Sequence, residues 1–244
     1  MKLKSITTFL GLTLISLPAS AATLFYTAGH LDGPAIGYVS AADAAGDPTL
    51  TQGFEPHLHN EGGATGAVIN GVTQTTKSEY EPVDVILVVP ETSTIAFNSV
   101  NYYWLPQDET DAANQGVGFL GVGSEELAPA DWTGGTITLT LANFTGPGNV
   151  TIWQDDAFGG ATIFFDSAGD SITIPAGGHT HFNWGFAALG NYELEFQISG
   201  THVADGIQTA SATYLFQAVP EPSSLLLGGL GVFALLGRRS RVTR

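Results

Sequence analysis

The chain has 244 residues, no cysteine and a formal charge of −16. Residues 22–219 carry one basic side chain, Lys77, against 22 acidic ones, a formal −21; this excludes nucleic acid, whose affinity comes from lysine and arginine on phosphate, and argues against docking of this stretch on an anionic membrane surface. Without cysteine there are neither disulfide staples nor thiolate metal sites, so the fold must stand on its core, and metal chemistry must rest on imidazole and carboxylate.

Taken in chain order, residues 1–21 read as a secretory signal helix. Lys2 and Lys4 give the positive end, Phe9 to Leu17 the apolar run, and Ala19-Ser20-Ala21 the small-x-small cleavage site, which directs the chain to the Sec export machinery with cleavage after Ala21. Short strand-like runs punctuated by Gly, Pro, Asn and Asp follow: Thr23–Tyr26, Ala35–Val39, Val83–Val89 and Phe119–Val122, then Thr136–Leu141, whose Thr alternates with Ile and Leu at period two. Further strands are expected at Val150–Gln154, Thr162–Phe165, Ser171–Ile174, His181–Phe186, Tyr192–Ile198 and Ala212–Gln217. Ala41–Asp47 reads as a short helix or loop, and the polar Asp108–Gln115 as a loop. This pattern predicts an all-β fold, an immunoglobulin-like β-sandwich with additional N-terminal strands, plus the N-terminal signal helix and a C-terminal hydrophobic helix. One β-sandwich domain is expected over 22–218, with 130–218 as the immunoglobulin-like part and 22–129 as added strands or a companion β layer. Gly190-Asn191-Tyr192-Glu193-Leu194-Glu195-Phe196 resembles the sixth strand of many immunoglobulin-like domains, where a tyrosine packs at the sandwich corner.

Residues 219–244 follow a different logic. Val219-Pro220-Glu221-Pro222-Ser223-Ser224 precedes an apolar, glycine-containing run that ends at Arg238, Arg239, Arg241 and Arg244, all the arginines of the chain. A hydrophobic helix closed by a basic cluster stops transfer and keeps the cluster cytoplasmic. Motif, helix and arginines together resemble the PEP-CTERM sorting signal of Gram-negative bacteria. That resemblance implies processing by an exosortase, a membrane transpeptidase-like protease. It also implies transient anchoring in the inner membrane by the C-terminal helix, and delivery to the envelope surface or extracellular matrix.

Six histidines occur, and four form two His-x-His pairs, His57/His59 and His179/His181. On a strand, residues i and i+2 share a face, so each pair can grip one cation side by side. Both pairs have turn residues beside them, Pro56 before the first and Gly177-Gly178 before the second. With His30 they form a candidate metal site, with zinc as the usual guest of such donors. Asp32 lies two residues from His30, so on a strand it shares that face as a further ligand or as an orienting group. Glu61 and Glu125 are weaker candidates of the same kind. Asn183 and Trp184 are expected to support the strand, and His202 to serve at the surface or in a hydrogen bond.

A second resemblance covers nearly all of the exported domain. Ala28-Gly29-His30-Leu31-Asp32, Pro56-His57-Leu58-His59, Gly121-Val122-Gly123-Ser124-Glu125-Glu126, Thr138-Leu139-Thr140-Leu141, Gly146-Pro147-Gly148 and Gly178-His179-Thr180-His181-Phe182-Asn183-Trp184-Gly185-Phe186 occur in that order, followed by Gly190-Asn191-Tyr192 and Ala204-Asp205-Gly206. They resemble a surface-anchored domain of actinobacterial wall proteins, and are similar to PEP-CTERM proteins repressed by the zinc-uptake regulator. The resemblance implies a zinc-linked envelope protein with His30, His57, His59, His179 and His181 as candidate ligands. Five imidazoles exceed a four-coordinate zinc, so one is an outer-shell group or a second ion lies nearby. The stretch between Gly37 and Pro56, and His202, depart from the pattern. The reading that follows is a surface-displayed protein that captures or buffers zinc, with a zinc transporter component as a partner. It is not read as an enzyme, since Gly-x-Ser-x-Gly, His-Glu-x-x-His and phosphate-loop motifs are all missing. The alternatives are a structural or adhesive matrix protein, with Trp104, Trp132 and Trp153 free to stack on sugars, and a zinc hydrolase with Glu61 or Glu125 as general base.

Overall fold

The computed structural model describes residues 23–220. The expected signal helix and C-terminal hydrophobic helix lie outside the described residues; among those described, no helix is long and apolar enough to cross a membrane.

Strands make up most of the described residues, as the short alternating runs predict. They are β1 (Leu24–Val39), β2 (Gly53–Asn60), β3 (Val68–Ile69), β4 (Val72–Thr73), β5 (Ser78–Tyr80), β6 (Val85–Pro90), β7 (Thr94–Phe97), β8 (Val100–Leu105), β9 (Gly118–Gly123), β10 (Thr136–Thr145), β11 (Val150–Asp155), β12 (Ala161–Phe165), β13 (Ser171–Pro175), β14 (His179–His181), β15 (Asn183–Phe186), β16 (Gly190–His202) and β17 (Gly206–Val219). Two short helices, α1 (Ala41–Gly46) and α2 (Glu109–Gln115), complete the regular elements beside three 3₁₀ turns.

The larger sheet runs β13-β10-β16-β17-β6-β1-β2-β5, with β9 and β14 continuing from the far half of β1; the smaller runs β12-β11-β15-β8-β7. Both draw strands from either side of residue 130. The larger sheet is mixed, because β1 pairs parallel with β6 and with β9, and β17 pairs parallel with β6. Those parallel pairings fall outside the all-antiparallel immunoglobulin order. Local tyrosine-corner geometry is nevertheless present: Tyr192 is buried, its hydroxyl donates to the Ala188 carbonyl at 2.8 Å, and it accepts from the Ala188 amide at 3.1 Å.

The core forms where alternation turns apolar side chains to one side. In β10 these are Ile137, Leu139 and Leu141; in β16, Tyr192, Leu194, Phe196 and Ile198; in β17, Tyr214, Phe216 and Ala218. Each large aliphatic or aromatic side chain buried here contributes roughly 1.5–3 kcal/mol. From the smaller sheet, Trp184 and Phe186 of β15 meet them: Trp184 lies 5.6 Å from Phe216 and Phe186 5.0 Å from Tyr192, ring centre to ring centre.

Several elements differ from the sequence reading. Thr23–Tyr26 and Ala35–Val39 belong to one long strand, β1, bulged between Asp32 and Ala35. Asp108–Gln115 is not a loop. The Asp108 carboxylate caps the α2 N-terminus through the Asp111 amide at 3.0 Å, Gly116 closes it with φ 66°, and Ala112 is the buried anchor. Capping chemistry rather than apolar periodicity makes this helix. The β7–β8 hairpin turns on Asn98 and Ser99, both at positive φ (48° and 65°), a turn signal weaker in sequence than Asn-Gly.

Candidate metal centre

The site is built across four neighbouring strands, β2-β1-β9-β14. One ladder row crosses them: His59 opposes Asp32, Asp32 opposes Gly121, and Gly121 opposes His181. Directly opposed residues share a face. His30 and His179 lie two positions from Asp32 and His181 along their own strands, so they join the same face.

The middle strand, β9, makes the gap that these side chains fill. On this face it presents Phe119, Gly121 and Gly123. Flanking strands β1 and β14 are two spacings apart, about 9–10 Å, and side chains from both sides must meet above β9. A Cβ at Gly121 would collide with Asp32 Oδ1 and lie 2.7 Å from His179 Nε2 and 3.0 Å from His181 Cε1. Only glycine leaves the room. Phe119 closes one end, stacked on His181 at 3.7 Å and beside His30 at 5.2 Å between ring centres.

Over this floor His30, Asp32, His179 and His181 each offer one ligand atom, all within 4.8 Å of one another. His179 Nε2 is 2.9 Å and His30 Nε2 3.4 Å from Asp32 Oδ1. Zinc bonds of about 2.0–2.1 Å put tetrahedral ligand atoms roughly 3.3 Å apart, so these separations suit an ion with little movement. Asp32 is 1 % exposed, and its Oδ1, together with His30 Nε2 and His181 Nδ1, is buried without hydrogen-bond geometry to any partner. Orphaned polar atoms of this kind cost free energy unless something joins them. On its outer side His179 Nδ1 lies 3.4 Å from Glu125 Oε1, the carboxylate–histidine arrangement that orients a metal ligand.

Electrostatics follow from this packing. Burial opposes the Asp32 charge, but the close approach of the His179 and His30 imidazoles outweighs it and holds the carboxyl well below the usual carboxylate range. The same contact with Asp32 raises His179 above an ordinary imidazole, against its burial. His181 is pushed down to about 4, by burial first and then by the neighbouring His179 and His30. At neutral pH His181 therefore offers a free lone pair.

The turn before β14 is fixed by Ser124. Its hydroxyl donates to the Pro175 carbonyl at 2.7 Å and accepts from the Gly178 amide at 3.2 Å, and its own amide donates to the Gly178 carbonyl at 2.8 Å. Gly177 takes φ 74° there. From the other sheet, Gln154 donates to Thr180 Oγ1 at 2.9 Å and to the His181 carbonyl at 2.6 Å. Asn183, fully buried, is satisfied by Gln107 and Asp155, while Trp184 packs in the core, so both support the strand as expected.

The second histidine pair sits apart from this group. His57 and His59 gather with Glu79 and Glu126, and a third, carboxylate set of Asp32, Glu61 and Glu125 lies between. Glu61 is held by Lys77 at 2.6 Å, and that contact lowers its pKa. The sequence reading missed Glu79 and Glu126. The available signal was the Glu125-Glu126 doublet just after β9, whose neighbouring side chains diverge, one to His179 and the other to His57 and His59. His202 stands away from all of these: it is buried against Tyr38 and Trp132, and its Nδ1 accepts from the Asp205 amide at 3.2 Å. It is a hydrogen-bonding residue and not a surface one.

Residues 218–241 match the PEP-CTERM protein-sorting motif. The protein is therefore exported to the cell envelope as a sorted surface protein, with a tail recognised by an exosortase. No curated protein and no solved structure matches the chain.

Proposed function

We propose that this exported, surface-sorted protein binds a divalent ion of the zinc class, capturing or buffering it in the envelope, through His30, Asp32, His179 and His181. One observation carries this reading: three imidazoles and a carboxylate that is 1 % exposed converge above a glycine floor, with three of their polar atoms buried and lacking a hydrogen bond. Imidazole with carboxylate suits zinc, and the resemblance to zinc-regulator-repressed proteins favours the same metal.

Binding is a better reading than hydrolysis. Four protein donors close a tetrahedral shell, whereas a hydrolytic zinc keeps one position for water. Glu125 stands behind His179, as an orienting group and not as a base facing an open position. The adhesive reading loses its sugar platform, because Trp104, Trp132 and Trp153 are all buried.

Zinc titrated into metal-free full-length protein in detergent is expected to bind tightly, and a His179→Ala/His181→Ala variant to lose the ion held at this centre. Wild-type protein that takes up no zinc, magnesium being the control, refutes the reading.

A further inference from the structure

We propose that His57, His59, Glu126 and Glu79 form a second divalent-cation site, separate from the first and open to solvent. The inference takes from the preceding reading only that the exported domain binds ions of the zinc class; its geometry is independent.

His57 is 9 % exposed, and its Nδ1 lies 2.9 Å from the Glu55 carbonyl. A ring nitrogen facing a carbonyl must be the N–H donor, so Nδ1 carries a proton and the neutral ring turns the lone pair of Nε2 toward Glu126. That is how protein ligands set the tautomer of a metal-binding histidine. The freed Nε2 is buried and makes no hydrogen bond, although Glu126 Oε1 lies only 3.3 Å away. A neutral imidazole lone pair and a carboxylate oxygen repel each other at that distance unless a proton or a cation sits between them.

The same Glu126 oxygen accepts a hydrogen bond from His59 Nδ1 at 3.2 Å, through a proton that a bound ion displaces. One carboxylate oxygen thus faces two imidazole nitrogens at separations that match a tetrahedral zinc shell of about 3.3 Å on an edge. Glu79 supplies a fourth ligand atom within 4.8 Å of the others, and it is placed there by β2–β5 pairing, which sets Glu79 opposite His59.

The two sites differ in access. The first is centred on Asp32, which is buried, with His30 and His181 half-buried beside it. The second opens on a cleft of about 700 Å³ lined by Glu55, His57, Glu79, Glu81 and Glu126, with Tyr80 and Pro82 beside them. Four carboxylates around one mouth concentrate cations there. A set of two imidazoles and two carboxylates at an open rim is suited to exchange, while the buried set is suited to retention.

Counting zinc per chain by equilibrium dialysis and elemental analysis, on the full chain in detergent, tests this. Glu126→Gln serves as the main variant, since its side chain is 42 % exposed and the change leaves packing intact; His57→Ala is the second, and Asp32→Asn marks the first site. Two ions in wild type are expected. Glu126→Gln should weaken one of them at least tenfold and leave the other, and Asp32→Asn should do the reverse. A single ion that ignores Glu126→Gln and His57→Ala overturns the second site and leaves the first. A single ion lost in both sets of variants also overturns it, in favour of one shared site. A single ion sensitive to Glu126 alone sustains the second site and removes the first.

Discussion

The most discriminating test of the first centre is a single methyl group. Gly121→Ala adds a Cβ that meets Asp32 Oδ1, 2.7 Å from His179 Nε2, in a strand flanked by neighbours on both sides. Gly121 does not sit at positive φ, so the backbone accepts alanine, and in a strand that exchange ordinarily stabilises by about 0.5–1 kcal/mol. The penalty falls on the ligands. Overpacking of a filled site costs about 1–3 kcal/mol, which at 1.4 kcal/mol per decade is roughly a 5- to 150-fold loss of zinc affinity. Gly123→Ala is the control, two residues along the same strand and face: its nearest new neighbour would be Asp32 Cβ at 3.5 Å, ordinary contact. Competition against a fluorescent zinc chelator reads the affinities, and thermal melting of the metal-free proteins reads folding. The expected result is weakened binding in Gly121→Ala with near-wild-type behaviour in Gly123→Ala. If Gly121→Ala stays within threefold of wild type, or if both variants lose equally, then the ion does not sit over this floor.

Other expectations follow from the same geometry. Ser124→Ala removes the hydroxyl that ties the Gly177-Gly178 turn, so it should cost about 1–2 kcal/mol in a denaturant titration and weaken zinc about tenfold through the loosened β14. Zinc affinity should fall as pH drops from 8 to 5, because the raised His179 must release a proton on binding, whereas His181, held at about 4, binds none in that range; removing the titrating group, as in His179→Ala, should make the remaining dependence on pH shallower. Tyr192→Phe deletes the corner hydrogen bonds to Ala188, and should cost about 1 kcal/mol of stability with zinc stoichiometry unchanged.

How much of this was legible in the sequence depends on the length scale of the signal. The all-β character was, because period-two alternation in Thr136–Leu141 and Tyr192–Ile198 is local and reports directly which side is buried. The histidine pairs were legible for the same reason, since i and i+2 on a strand need no tertiary information. The pairing of β1 with β9 was not, because a parallel partnership across some ninety residues leaves no local mark. The capped helix α2 was hidden because its seven residues, five of them polar and two alanine, show no apolar stripe, and its boundaries rest on Asp108 and Gly116. Glu126 was hidden because a glutamate in a chain this acidic looks like solvation until its strand neighbours are known.

Asp32 shows where the two kinds of information meet. Its spacing from His30 put it on the same face, but its burial comes from the third strand, where Gly121 and Gly123 leave room for a carboxylate to reach inward. A buried carboxylate is stable only when paired, and here the partners are His30 and His179, which arrive from opposite sides of β9. The charge therefore draws β1 and β14 together over a stretch of β9 that presents only glycine, at 121 and 123. In this arrangement the Gly-Val-Gly of β9 is as much a part of the centre as the donors: a sequence carrying every histidine and Asp32, but with any side chain at 121, would keep the ligands and lose the place where they meet.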